Sequence, residues 1–340
     1  MKFRAELPIK RWNKTISYDQ KIMLIGSCFT EHMGKYLFDR KFNILQNPNG
    51  ILFNPISIAN SLLAHIENVK YTKENLFKWN DVWSSWDHHS RFSTLCIDDG
   101  LQAINASQYE AHQYLKNTNW LIITSGSAFV YELSAEAEKN NCLTGKQIGD
   151  VVANCHKAPA DWFNKRLLST DETLHTLQTL IDQLHHFNPT VQIILTISPV
   201  RHLREGLMDN NRSKAVLIQT VHELCERFDF VHYFPAYELV IDDLRDYRFY
   251  AEDLAHPNYQ ATQYVWEKFV EMCIYPESVA LMHKIEKVRA AYLHKPLQPE
   301  TPQHQAFLQS YLEQTQLLQQ QFSYMDFSEE STYFMNKNVS

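Results

Sequence analysis

The stretch KIMLIGSCFTEHMG, residues 21–34, runs an unbroken apolar segment into a glycine, then two nucleophile-type residues, then a helical pattern. Continuous rather than alternating hydrophobicity marks a parallel strand covered on both faces. WLIITSG from Trp120 and VQIILTISPV from Val191 have the same character, while FNILQ from Phe42 and FDFVHYFPA from Phe228 are weaker strand candidates. Helical stretches separate them. TEHMGKYLFDR follows Cys28 with Thr30 as its expected cap. TDETLHTLQTLIDQLHHF sets Leu174, Leu177, Leu180, Ile181 and Leu184 at helical spacing behind Thr170 or Asp171. After Pro257, the residues Ala261, Tyr264, Val265, Phe269 and Met272 form another stripe. Strands alternating with helices predict an α/β fold, a three-layer, doubly wound, mostly parallel sheet.

Working outward, the 340 residues allow one large domain with an appendage, and 44% hydrophobic residues suffice for a sizeable core. A net charge of −7 argues against nucleic acid and anionic membrane as partners, since both call for a basic footprint. The N-terminal segment holds no apolar run of signal-peptide length, and no run of about 18 apolar residues occurs anywhere. The six cysteines are scattered without CxxC pairs, so they are expected as reduced thiols, mostly small buried hydrophobes, in a cytoplasmic protein. HKPLQPETPQH, from His294, resembles a linker, and Phe307, Leu308, Tyr311, Leu312, Leu318 and Phe322 beyond it mark a glutamine-rich amphipathic helix. The expected division is an α/β domain over 1–275, a helical C-terminal extension over 276–325 and a flexible tail over 326–340.

Two segments could carry chemistry. In IGSCFTEHMG, from Ile25, a side chain is placed at the C-terminal edge of the sheet and at a helix N-terminus, where ligands of open α/β sheets bind. Free N–H groups and the helix dipole favour an anion there, and a cysteine so placed can have a lowered pKa. The plainer reading is a tight turn around a small buried thiol. In DLAHPN, Asp253 to Asn258, an acid three residues before a histidine could fix the imidazole's tautomer so that it serves as a general base. Alone, that pattern is as readily a surface turn capping the next helix.

Further histidines are candidates for binding. His156 follows Asn154 in NCHK, and His202 follows SPVR. WSSWDHHSRFS, from Trp83, is either a substrate-facing loop or a packed aromatic loop with solvated edges, the second being favoured. A zinc site built from Cys155, His156 and other histidines matches no compact metal spacing, and no cofactor is expected. The charge-dense DDLRDYRF, from Asp242, is read as structural.

A nucleophile straight after the first strand and a late Asp-x-x-His is the layout of SGNH/GDSL hydrolases, and IGSCFT is similar to the signature of the GSCFA family within them. NPNGILFNPISI from Asn47, NCHKAP from Asn154, TISPVRHLREG from Thr196 and FPAYELVIDDLRDYRFYAEDLAHPN from Phe234 resemble that family too. The resemblance implies an SGNH-hydrolase, flavodoxin-like fold and hydrolysis or transfer of an acyl ester, on a small molecule, an O-acylated carbohydrate or a cell-envelope glycan precursor. It implies Cys28 as nucleophile, two residues after Gly26, with Ser27 as the alternative if the turn slips by one. His256 would be the base and Asp253 its orienting acid. Superfamily members stabilise the oxyanion with a glycine N–H, an Asn side chain and the nucleophile's own N–H. Gly50 fits the glycine. The Gly-x-Asn block, however, reads Gly126-Ser127-Ala128, leaving Asn154 as a substitute; its absence also keeps open an inactive ligand-binding or scaffold protein.

Overall fold

The computed structural model describes residues 5–338. The chain begins with β1 (Lys21–Gly26), α1 (Cys28–Asp39), β2 (Asn43–Gln46) and α2 (Pro55–Glu67). A hairpin of β3 (Phe77–Trp79) and β4 (Val82–Ser84) precedes α3 (Ile97–Leu115) and β5 (Trp120–Ser125). Next come β6 (Phe129–Leu133), α4 (Ala135–Lys139), β7 (Phe163–Leu167), α5 (Thr170–Phe187), β8 (Gln192–Ile197), α6 (Gly206–Arg227) and β9 (Val231–Phe234). The chain ends with the short α7 (Ala236–Glu238), then α8 (Tyr259–Cys273), α9 (Pro276–Leu293), α10 (Pro302–Gln321) and α11 (Ser328–Asn338).

Five strands form one wholly parallel sheet in the order β2-β1-β5-β8-β9. The apolar runs look continuous because they feed two cores in alternation. Ile22, Leu24, Trp120, Ile122 and Ile194 face α1 and α8, where they meet Phe29, Met33, Leu37, Val265 and Phe269. Met23, Ile25, Leu121, Ile123, Ile193 and Leu195 face the other way, onto α2, α3, α5 and α6. This is the expected doubly wound three-layer arrangement. The strand order reverses between β1 and β5, so the crevice where ligands bind in such sheets opens beyond the end of β1.

The sequence-based helix starts need small corrections. Ser27, not Thr30, stands before α1, and Ser169 caps α5 by accepting from the Glu172 N–H at 3.1 Å. The two antiparallel hairpins, β3–β4 and β6–β7, lie outside the sequence expectation; they wrap a third apolar cluster around Trp86, Phe77, Leu133 and Trp162. The segment expected as a tail from 326 is ordered helix as far as it is described. Phe327 and Phe334 are fully buried and Glu330 pairs with Lys41 at 2.8 Å. With Met282, Ile285 and Val288 of α9 and Leu308 of α10, they complete the core on the α1–α8 face. The C-terminal helices are thus a wall of the main core.

Candidate active site

Everything at the end of β1 depends on Gly26. Its φ is +144°, and a Cβ built on it would lie 2.2 Å from the Thr124 carbonyl oxygen of β5, so only glycine fits. Its N–H donates to Asn47 Oδ1 at 2.9 Å and its carbonyl accepts from the Leu52 N–H at 2.9 Å, which binds the NPNG loop to the strand end. The Ser27 N–H donates to the Thr124 carbonyl at 3.1 Å. The sequence therefore turns sharply into α1 with Ser27 inside, 1% exposed and its hydroxyl without a hydrogen-bond partner among the described residues. Cys28, half-buried, is the first helical residue.

Burial pushes the Cys28 thiol up, opposed by the Phe29 and Cys28 amides turned toward the sulfur and by the Lys214 ammonium, while Glu31 reinforces the rise. The lowering expected of a helix N-terminus is present, but desolvation outweighs it. His32, one turn along α1, has its pKa lowered by burial first and then by neighbouring His256. That interaction brings the far end of the sequence to the helix that starts at Cys28.

The DLAH segment is held from both sides. The Arg201 N–H, beyond β8, donates to the Ala255 carbonyl at 3.0 Å, and the Arg201 guanidinium stacks 4.1 Å from the Tyr250 ring centroid. Tyr250 bridges to Pro257, the Ala251 N–H donates to the His256 carbonyl at 2.8 Å, and Asn258 caps α8 while its Nδ2 donates to the Arg248 carbonyl at 2.7 Å. In this closed loop Asp253 Oδ2 lies 2.6 Å from His256 Nδ1. The His256 and Ala255 N–H groups both donate to Asp253 Oδ1 at 3.0 Å. These bonds, the His256 amide first, hold the Asp253 carboxyl at about 2. An imidazole whose Nδ1 is engaged this way presents Nε2 to a reactant.

A cavity of about 260 Å³ opens over the strand ends, lined by Phe53, Ser127, Phe129, Asn154, His202 and Arg204. It adjoins the β1–α1 corner, because the Phe53 carbonyl accepts from the Gly126 and Ser127 N–H groups and a Cβ on Gly126 would stand 3.1 Å from Ser27 Cβ. Asn154 Oδ1 accepts from the His156 N–H at 2.8 Å, leaving the Nδ2 protons for other acceptors. His202 packs edge-on against Phe53 with ring centroids 5.7 Å apart. A larger cavity, about 680 Å³, is lined by His32, Tyr36, Arg40, Pro257, Thr262 and Glu286.

Two expectations are corrected. The Gly50 N–H donates to the Asn47 carbonyl at 2.7 Å inside its own turn, so the oxyanion donor expected of it is already engaged. His156 faces the aromatic cluster, with Nε2 2.8 Å from the Ser85 carbonyl oxygen, Nδ1 3.4 Å from Ser93 Oγ and burial pushing its pKa down to about 4. It supports a loop rather than a ligand. The Trp83–Ser93 loop is the packed alternative: Trp86 stacks on Phe77 at 3.7 Å and donates to the Cys142 carbonyl at 2.6 Å. Among the described residues no group of three or more His, Cys, Asp and Glu is placed to hold a metal ion, and no helix is long and apolar enough to cross a membrane.

Lys214 is the residue that sequence reading missed. It shares the inner face of α6 with Ser213, Leu217, Val221 and Leu224, so a lysine on an apolar stripe was the available signal.

Among known proteins, the GSCFA family matches residues 21–269, and the GSCFA domain protein C-terminal domain matches residues 285–338. No curated protein matches the chain. Similar solved structures include a family 3 carbohydrate esterase from Clostridium thermocellum, at 11% identity, TM-score 0.34, 78% of this chain and 97% of that one. They also include the acetyl xylan esterase Est2A from Butyrivibrio proteoclasticus, at 12% identity, TM-score 0.36, 75% of this chain and 64% of that one.

Proposed function

We propose, from the premise that this chain belongs to the GSCFA family, that it hydrolyses or transfers acyl esters with Cys28 as nucleophile, His256 as base and Asp253 as orienting acid. The observation that carries this reading is the Asp253–His256 pair at 2.6 Å, in a loop whose histidine acts on His32 of the helix that Cys28 begins. Burial of Ser27 and partial exposure of Cys28 favour the cysteine over the serine.

In the first half-reaction Cys28 gives its thiol proton to His256 Nε2 and the sulfur attacks the ester carbonyl. Asp253 stays ionised and stabilises the imidazolium. The tetrahedral oxyanion collapses, the C–O bond breaks, and the alcohol leaves with the proton from Nε2, leaving an S-acyl cysteine. Water, or an acceptor hydroxyl, then gives its proton to Nε2 and attacks the thioester; the C–S bond breaks, the acid or new ester leaves, and the sulfur takes the proton from Nε2 to restore the thiol. With the Gly50 amide engaged, oxyanion stabilisation falls to the Cys28 N–H and Asn154 Nδ2. The small cavity with the Phe53 and Phe129 rings suits a short acyl group on a carbohydrate or similar alcohol.

Aryl acetate turnover by the wild type, absent from both Cys28→Ala and His256→Ala, is the expected result. A second reading, an inactive ligand-binding protein of the same fold, is favoured by the engaged Gly50 amide and by Ala128 in place of the usual Asn. No turnover by wild type of any activated ester or thioester would select it.

A further inference from the structure

Cys28, His32, Tyr36 and Arg40 follow one another at intervals of four, so they share one face of α1, with successive Cβ atoms about 5–6 Å apart. His32, Tyr36 and Arg40 line the cavity of about 680 Å³. Tyr259 and Thr262 close a second side from α8, and Glu286, Arg289 and Ala290 close a third from α9. Pro257, which follows His256 directly, lines it as well. The cavity therefore begins one helical turn from Cys28 and one residue from His256. Its walls carry charge, but the cations are matched: Arg40 pairs with Glu286 at 2.6 Å, Arg289 with Asp39 at 3.3 Å and Lys35 with Asp39 at 2.9 Å. Two aromatic faces stand beside these pairs. Tyr36 is backed by Trp266 in a stack with centroids 5.3 Å apart, and Tyr259 is 74% exposed.

We propose that this cavity binds a neutral oligosaccharide, the alcohol part of an ester whose acyl group enters the smaller cavity of about 260 Å³. The oligosaccharide's role as the alcohol rests on the reading of Cys28 and His256 as the acting pair. Three kinds of ligand compete for such walls, and their chemistry separates them. With no unpaired lysine or arginine in its lining, the cavity offers a phosphate or carboxylate no free cation. A lipid chain would leave the charged pairs desolvated and gain nothing from them. Hydroxyl groups, which donate and accept at once, match donors and acceptors set side by side. Sugar rings add C–H faces that lie against the exposed rings of Tyr36 and Tyr259. The face of α1 from Cys28 to Arg40 runs for about 18 Å, which suits a chain of sugars rather than one. Because Glu286, Arg289 and Ala290 belong to α9, the C-terminal extension forms part of the recognition surface as well as part of the core.

The test begins with binding, which needs no turnover. Cellotriose, xylotriose and tri-N-acetylchitotriose are titrated into the full chain and followed by NMR, with inorganic phosphate in a parallel titration. At least one trisaccharide should bind. Ala290→Trp, an exposed position where the indole fills the cavity, should weaken that binding by roughly tenfold or more, and Tyr259→Ala should weaken it too. No binding of any of the three sugars, equal binding by both variants, or binding of phosphate alone overturns the proposal. The second arm is catalytic. The kcat/KM for an acetylated form of the bound trisaccharide, divided by that for an aryl acetate, should fall by roughly tenfold in Ala290→Trp, mainly through KM. An unmoved ratio shows that the alcohol lies elsewhere and also overturns it. Cys28-dependent turnover of aryl acetate with no sugar binding removes the cavity's role and leaves the nucleophile. Sugar binding that Ala290→Trp abolishes, in a chain that turns over no ester, removes the esterase reading and with it the alcohol role, and leaves the sugar site.

Discussion

Asp253 grips His256 twice: Oδ2 accepts from the ring Nδ1 at 2.6 Å, and Oδ1 accepts from the His256 backbone N–H at 3.0 Å. The backbone bond fixes where the loop puts the histidine, and the side-chain bond fixes which ring nitrogen faces the reactant. Asp253→Asn should therefore lower kcat for an aryl acetate by roughly 10²–10⁴-fold, because the amide can hold the wrong tautomer and carries no charge. Far-ultraviolet circular dichroism should be unchanged, since Asp253 is exposed and packs against no core.

The same bonds set a pH expectation. With its folded pKa depressed to about 2, Asp253 contributes stability that is fully present above the ordinary aspartate value of about 3.9. That contribution is lost progressively as pH falls from there through about 2. Hence any activity lost between about pH 6 and pH 4 belongs to another group. Titration of the Asp253 carboxyl followed by NMR should give a midpoint near 2, and a midpoint at or above about 3.9 would contradict the assignment.

Register at the β1–α1 corner can be separated by stability as well as by rate. Among the described residues the buried Ser27 hydroxyl has no partner, so Ser27→Ala removes an unsatisfied group and should change unfolding free energy in urea by no more than about +1 kcal/mol, in the stabilising direction. Its esterase activity should be nearly intact. Cys28→Ala should be inactive and Cys28→Ser weakly active, because a hydroxyl depends wholly on His256. The opposite pattern, with Ser27→Ala dead and Cys28→Ala active, transfers the nucleophile to the serine.

Gly26→Ala is expected to be the most damaging single methyl near the site. The backbone there sits at φ +144°, and the added carbon would meet the Thr124 oxygen at 2.2 Å, so β1 and β5 must part. The expected loss is about 3 kcal/mol or more, read as a large fall in Tm or as insoluble protein. A Gly26→Ala variant melting at the wild-type temperature would mean that this strand end is arranged otherwise.

Thiol reactivity follows burial rather than motif. Burial raises the Cys28 thiol in spite of its helix N-terminal position, whereas Cys96 is exposed. During brief iodoacetamide treatment near neutral pH, Cys96 should label ahead of Cys28. Faster labelling at Cys28 would show that the local cations and amides outweigh desolvation.

Much of this was legible in the chain itself. The strands stood out because each is buried on both faces, and the two candidate segments were visible for different reasons: IGSC follows an apolar run, and DLAHPN sets an acid three residues before a histidine. The hairpins were not legible, since β3 and β4 have three residues each and β6 pairs with β7 across the whole stretch from Ser134 to Trp162. Burial decided what pattern could not. Lys214, His32 and the engaged amide of Gly50 depend on which groups the fold brings together, and spacing along the chain does not carry that.

The last expectation concerns the C-terminal helices. Phe334 is fully buried and stacks on Tyr311 with ring centroids 5.9 Å apart, in the same core as Phe29 and Leu37 of α1. Arg40, at the end of α1, pairs with Glu286 of α9 at 2.6 Å and stacks 4.7 Å from the Trp266 ring centroid. If the extension is part of one cooperative unit, Phe334→Ala should lower the unfolding free energy by about 3–5 kcal/mol in a single urea transition. Deleting 276–340 should go further, uncovering Met33, Trp266 and Phe269 and yielding aggregated protein. A Phe334→Ala chain that shows an early, separate transition followed by the wild-type midpoint would instead make the extension an independent module. The same experiment bears on the site, because α1 carries Cys28 at one end and the Arg40–Glu286 pair just past the other. Loosening that end in Phe334→Ala should raise KM or lower kcat for the aryl ester even where the protein remains folded.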